Sequence, residues 1–185
     1  MSDLQHVRVA VLATDGFEES ELTEPRKALE GAGAQVEVIS EKPGEIQGFR
    51  HHDKAGRVRV DRTLARANPA DYDALLLPGG ALNADRARAL PEVSEFIRHF
   101  DRAGKPIAAI CHAPWELISA GVIRGRKVTS WPTIQEDIRN ADADWLDREV
   151  VLDGNLLTSR GPRDLPAFRR EMLALFARLP AGARS

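Results

Sequence analysis

Apolar positions along this chain change period from one segment to the next. The run VRVAVLA at 7–13 is apolar and β-branched and predicts a buried strand, which Thr14-Asp15-Gly16 breaks. Residues 17–29 read as a helix, with Pro25 opening its main run and the glycines at 31 and 33 closing it. QVEVIS at 35–40 is the next strand, so strand, helix and strand form a βαβ unit that calls for a parallel sheet. Residues 41–62 are polar and punctuated by glycine, with a short half-exposed strand at the alternating RVRV of 57–60. YDALLL at 72–77 predicts another buried strand, stopped by Pro78-Gly79-Gly80. Val93, Phe96, Ile97 and Phe100 repeat at helical spacing and predict an amphipathic helix over 91–102. A strand over 105–110, a helix over 113–120 ended by Gly121, a short strand at 128–130 and a hairpin turning on Asp153-Gly154 follow. Leu165, Phe168, Met172, Leu175, Phe176 and Leu179 mark one face of a last helix. Strands alternating with helices, with no repeat and no linker, predict one α/β domain over 1–185, doubly wound about a mostly parallel sheet.

The candidate chemistry sits where these strands end. In such sheets ligands bind beyond the carboxyl ends of the strands. Three ends converge on one rim: Asp15 to Glu21, Pro78-Gly79-Gly80, and Cys111-His112. Cys111 is the only cysteine. Between a buried strand and a helix it occupies the position of a nucleophile elbow. A helix N-terminus there supplies free N–H groups and a positive dipole end, both of which favour a thiolate. A free cysteine is equally at home as an inert core residue, so spacing alone leaves both readings open. The glycine pair lets backbone N–H groups approach a ligand, and one N–H there with one after Cys111 would form an oxyanion hole. Glu18, Glu19 and Glu21 suit the start of a helix through its dipole alone. Glu18 and Glu21 are also three apart on one face. A carboxyl desolvated beside Cys111 would rise in pKa and could exchange a proton with the sulfur. His112 points along the nascent helix and needs a third group to orient it as a base. No histidine follows residue 112, which removes the downstream base of the α/β-hydrolases and class I glutamine amidotransferases. There is no Cys-x-x-Cys, Gly-x-Gly-x-x-Gly or P-loop. His51 and His52 are adjacent, and neighbours on a loop or strand diverge, so no metal and no cofactor are expected.

Composition narrows the setting. Hydrophobic residues at 43% and charged residues at 29% are those of an ordinary globular protein. A net charge of -2, with acids interspersed among the arginines, offers no basic patch for nucleic acid. A single cysteine forms no internal disulfide and points to a reducing compartment. The first residues lack the basic region and apolar core of a signal peptide, and no apolar run approaches the roughly 20 residues of a membrane span. The expectation is a cytoplasmic protein.

Six stretches then form a recognisable series: DGFEESEL at 15–22, LPGG at 77–80, AICHAP at 109–114, SAGVIRGRK at 119–127, TSWP at 129–132, and DGN at 153–155 with TSR at 158–160. In this order and over nearly the whole chain they resemble the PfpI family of intracellular cysteine peptidases and general stress proteins. That family shares its superfamily, class I glutamine amidotransferase-like in fold, with the Parkinson-disease protein deglycase. The resemblance implies a flavodoxin-like three-layer α/β/α sandwich with Cys111 as nucleophile. Glu21 matches the glutamate that hydrogen-bonds the cysteine sulfur. Gly80, beside Gly79, and His112 match the backbone oxyanion donors, and His112 matches the catalytic histidine. In PfpI-type oligomers the acid that orients this histidine comes from a neighbouring subunit. Asp85 is the match here, an aspartate where the peptidase pattern carries glutamate, and one residue further on. Ala113 and Trp115 depart from the smaller or polar residues common after Cys-His, and with Trp131 they are expected to narrow the mouth of the pocket.

The resemblance implies a homo-oligomer, dimer or hexamer, and three roles for Cys111. In the first its thiolate adds to a small reactive carbonyl such as methylglyoxal, or to an early adduct on a protein, and Glu21 or His112 moves the proton. In the second it attacks a peptide bond, with His112 protonating the leaving amine. In the third it senses oxidant in a stress protein that is not an enzyme, or the protein holds unfolded clients.

Overall fold

The computed structural model describes residues 3–180. The chain runs through β1 (Arg8–Leu12), β2 (Phe17–Glu18), α1 (Glu19–Gly31), β3 (Gln35–Ser40), β4 (Glu45–Arg50), β5 (Asp53–Arg59) and β6 (Arg62–Thr63). It continues through β7 (Ala74–Leu77), α2 (Ala81–Arg88), α3 (Pro91–Arg102), β8 (Ile107–Ile110), α4 (Pro114–Ala120) and β9 (Lys127–Val128). The last elements are α5 (Gln135–Asn140), β10 (Asp144–Trp145), β11 (Val150–Asp153), β12 (Leu156–Ser159) and α6 (Leu165–Phe176).

Seven strands make the central sheet in the order β11-β12-β8-β7-β1-β3-β6, parallel except for β11. Its inner strands β1, β7 and β8 are buried along nearly their whole length, which is why they read as continuous apolar runs. In β1, Val9 and Val11 join Leu22 and Leu29 of α1 and Phe168 and Met172 of α6 in one core. Ala10 and Leu12 point the other way, into a second core with Val93, Ile97 and Phe100 of α3 and Leu117 of α4. The period of two in the strand thus divides one sequence between two layers, and the flavodoxin-like three-layer architecture follows.

Three expectations change. Phe17 and Glu18 do not begin a helix. They pair in parallel with Gly48 and Phe49 of β4, and the β4–β5 hairpin completes a small three-stranded sheet. The packing explains this. Phe17 is fully buried, and a side chain on Gly48 would come within 2.9 Å of its ring. Helix α1 starts at Glu19 and carries Pro25 inside it, so proline does not open the helical run. The strand expected at 128–130 shortens to β9, which pairs with β10 outside the central sheet.

Candidate active site

Strands β8, β7 and β1 are neighbours, so the segments after them meet at one rim of the sheet. Cys111 directly follows β8 and has φ of +65°, a region that costs an ordinary residue energy and persists only where the surroundings impose it. Two backbone bonds impose it. The Cys111 N–H donates to Ser159 O at 3.0 Å, and Cys111 O accepts from the Trp131 N–H at 2.8 Å. Helix α4 leaves in the next turn. This is the geometry of a nucleophile elbow.

Gly79 and Gly80 make room for the elbow. A Cβ on Gly79 would meet the Glu21 carboxylate, and would lie 2.5 Å from Cys111 Cβ and 2.7 Å from Ile110 O. Gly80 has φ of +93°, and a Cβ there would run into Gly16 O and the Glu18 N–H. The glycine pair therefore allows three backbone segments to close around the sulfur. The N–H groups of Gly80 and His112 both favour the ionised sulfur.

Glu21 lies in the first turn of α1 and is fully buried. Its Oε2 accepts the Gly79 N–H at 2.9 Å, while Oε1 is buried with no hydrogen-bond partner among the described residues. Burial, and then the nearby Glu18 carboxylate, raise its pKa to about 8, against the opposing pull of the Gly79 N–H and the Cys111 thiol. At neutral pH Glu21 holds a proton, and Oε1 is the oxygen left to carry it. Burial pushes the Cys111 thiol well up, and a charged Glu21 would push it further. Protonating Glu21 removes that second cause. The two groups titrate as a pair.

His112 brings Nδ1 to 3.1 Å from Cys111 Sγ. Burial lowers its pKa, so the ring is neutral near pH 7. It stacks on Trp131 with ring centres 5.8 Å apart and meets Trp115 edge-on at 5.3 Å. Among the described residues no carboxylate bonds this imidazole. Asp85 is exposed on α2 and makes no hydrogen bond to it.

A cavity of about 550 Å³ opens over Cys111, bounded by Glu18, Glu21, Gly80, His112 and Trp131 among others. Of the three residues expected at its mouth, only Trp131 lines it. Ala113 is fully buried in the core beside α3 and α4, because the second residue after the elbow already faces inward. Trp115 is held away, with its indole N–H on Asp137 Oδ2 at 2.8 Å and the Arg88 guanidinium over its ring. Glu18 and Glu21 both reach the cavity, yet not as neighbours on a helix: Glu18 belongs to β2 and precedes the first helical residue.

The profile of the DJ-1/PfpI family matches residues 7–175 of this chain. The chain belongs to the DJ-1/PfpI family. It is 45% identical over 169 residues to protein/nucleic acid deglycase 2 of Escherichia coli (strain K12), which covers 91% of this chain and 96% of that protein. General stress protein 18 of Bacillus subtilis (strain 168) is 43% identical over 169 residues, 91% of this chain and 96% of that one. The crystal structure of Drosophila melanogaster DJ-1beta matches with a TM-score of 0.84 at 30% identity, covering 96% of this chain and 91% of that chain.

In this DJ-1/PfpI chain two residues with no place in the motif series also line the cavity. His51 and His52, at the tip of the β4–β5 hairpin, line it beside Glu18 and Phe49. His51 has φ of +56°, and its N–H donates to Glu18 Oε2 at 3.0 Å. The signal was the adjacent pair, but its position depends on a hairpin that the polar segment 41–62 did not disclose. Among the described residues no group of three or more His, Cys, Asp and Glu comes together to hold a metal, and no helix is long and apolar enough to cross a membrane.

Proposed function

We propose that this protein is an enzyme whose Cys111 sulfur, passing its proton to the neutral His112 as it adds, attacks small reactive carbonyls, methylglyoxal foremost, and their early adducts on proteins. The observation that carries this reading is the buried Cys111–Glu21 pair, with an unpartnered Oε1 available to move one proton. The sulfur adds to the aldehyde carbon, forming an S–C bond. The carbonyl oxygen gains a proton in the hole beside the Gly80 and His112 N–H groups. A base, Glu21 once it has given up its proton or the neutral His112, takes the proton from that carbon and returns one to the neighbouring carbon. The resulting thioester is cleaved by water, which releases lactate and restores the thiol. Methylglyoxal plus water gives lactate, so no external oxidant is needed. On an early adduct, attack on the same carbon expels the amine and restores it. The deglycase name of the E. coli relative supports the substrate class.

The 3.1 Å approach of His112 Nδ1 to the sulfur favours a second reading, a cysteine peptidase. That chemistry needs an oriented imidazole. In an oligomer, Asp85 of a neighbouring copy would have to supply the orienting acid. The test is one pair of assays: lactate formed from methylglyoxal, followed by proton NMR, and cleavage of a fluorogenic peptide amide. Wild-type protein is expected to form lactate while Cys111→Ser matches a free-thiol control. Peptide cleavage without lactate would overturn the carbonyl reading and shift it to the peptidase; neither activity would leave Cys111 as a redox site.

A further inference from the structure

On the carbonyl reading the His112 imidazole takes the Cys111 proton, yet among the described residues no acid orients it. Nδ1 lies 3.1 Å from Sγ, so it has to start as the acceptor, with the ring hydrogen on Nε2. Nε2 has no protein hydrogen-bond partner among the described residues. A base of this kind ordinarily leans on a carboxylate, which fixes the ring and stabilises the imidazolium that forms. The Glu18 carboxylate lines the same cavity, but its Oε2 accepts the His51 N–H. The groups that meet the ring are aromatic instead: Trp131 stacks on it with 23° between the planes, and Trp115 meets it at 64°.

Both rings are held in place. Trp131 lines the cavity over Cys111 and also a second one of about 910 Å³, and a side chain between two cavities needs anchors. Its N–H donates to Cys111 O at 2.8 Å, which ties it to the elbow itself. Its carbonyl accepts the Ser130 hydroxyl at 3.0 Å and the Ile134 N–H at 3.2 Å. Gly161 lies against the indole, where a Cβ would come within 3.1 Å of the ring. Trp115 is fixed by its bond to Asp137, and the Arg88 guanidinium, 5.4 Å from the ring centre, already occupies a face of that indole. The face of Trp131 is the one left for the imidazole.

We propose that Trp131 is a positioning residue that stands in for the orienting acid: it holds the plane of the His112 ring and stabilises the imidazolium formed as Cys111 adds to a carbonyl. The proposal rests on the carbonyl reading for the moment at which His112 becomes charged. In the resting site burial opposes that charge and the ring is neutral. On addition the sulfur electron pair forms the S–C bond, the S–H proton moves to Nδ1, and the imidazole becomes a cation. It then gives the proton to the carbonyl oxygen and is neutral again. A cation within about 6 Å of the centre of an indole is attracted to its electron-rich face, and tryptophan has the strongest such face. The two ring centres are 5.8 Å apart. The attraction exists only while the imidazole is charged, so it lowers the barrier without tightening the hold on substrate. It asks nothing of a neighbouring copy.

The test replaces Trp131 alone with tryptophans of increasing fluorine content, which keep the shape of the ring and drain the negative charge from its face. The first readout is the pH midpoint of the His112 imidazole, taken by NMR on the Cys111→Ser protein, so it needs no turnover. It should move down step by step with fluorine. The second is lactate formation from methylglyoxal with Cys111 intact, in which kcat should fall step by step while KM holds. Trp131→Leu should lose about twofold to thirtyfold in kcat, and Trp131→Phe, which keeps a weaker face, should lose less. A midpoint indifferent to fluorine would overturn the proposal, as would Trp131→Leu turning over as fast as Trp131→Phe. A rise in KM with kcat unchanged would make Trp131 only a wall of the substrate site and would overturn it too. Should Trp131→Leu fail to fold, the fluorinated proteins, which keep the native shape, decide the matter. Absence of lactate even from the wild type would count against the carbonyl reading, and the NMR midpoints would still decide the role of Trp131.

Discussion

At Cys111 one residue concentrates the account. Its left-handed backbone turns the sulfur out of the sheet, and Gly79 leaves room for the Glu21 carboxyl to close behind it. The elbow was legible because a fully apolar strand ends on the only cysteine. The burial of Glu21 beside the elbow was legible as one of two possibilities, since three glutamates at a helix start also have a sufficient explanation in the dipole, and only the motif resemblance singled out Glu21 from Glu18. Ala113 was misread because spacing says nothing about which way the second residue after an elbow points. Glu21 also makes a prediction. Its pKa is raised from 4.5 to about 8, so its share of stability is complete below about 4.5 and is lost as pH rises through about 8. Glu21→Gln should flatten the fall in urea stability between pH 5 and pH 8. The alkylation rate of Cys111 against pH should show two apparent steps in the wild type and one in the variant. An unchanged alkylation profile would uncouple the two groups.

At the scale of elements, those with strong periodicity were legible: α3 begins and ends where its apolar spacing predicts, and the β11–β12 hairpin forms, with its turn at Gly154-Asn155, one residue beyond the expected Asp153-Gly154. The β4–β5 hairpin was not, beyond its alternating end. Its glycines and arginines carry little strand propensity, and side chains from elsewhere fasten it. Asp15 Oδ1 accepts the Gln47 N–H at 2.8 Å, and Glu19 Oε2 accepts the Gly56 N–H at 2.6 Å. The acids around the first helix start thus hold the hairpin that walls the site. Helix α4 carries a different oddity. Glu116 is 1% exposed and neither carboxyl oxygen has a hydrogen-bond partner among the described residues. Burial raises its pKa well above 4.5, so it too favours the fold at low pH and loses that contribution as pH rises. Glu116→Leu should stabilise the protein by roughly 1–3 kcal/mol at pH 8, with a smaller gain at pH 5, both read from urea unfolding. A destabilised variant at both pH values would mean that the carboxyl has a partner.

For the whole molecule, the doubly wound sheet explains why the chemistry lies at one rim. The neighbouring order β8-β7-β1 brings Cys111, the Gly79-Gly80 pair and Glu21 together from segments far apart in the chain. A linear reading brought these three segments to one rim and could not find the β4–β5 hairpin beside them or the second cavity, which exist only once β4–β5 and the turn after β12 have packed. The central claim is that this rim makes Cys111 a catalytic thiol with Glu21 as its proton partner. The most direct measurement is kcat/KM for methylglyoxal at pH 7 for wild-type protein, Cys111→Ser and Glu21→Gln, each confirmed as folded. The account predicts a loss of about a thousandfold or more for Cys111→Ser and of about a hundredfold for Glu21→Gln. Turnover by Cys111→Ser at the wild-type rate would contradict it.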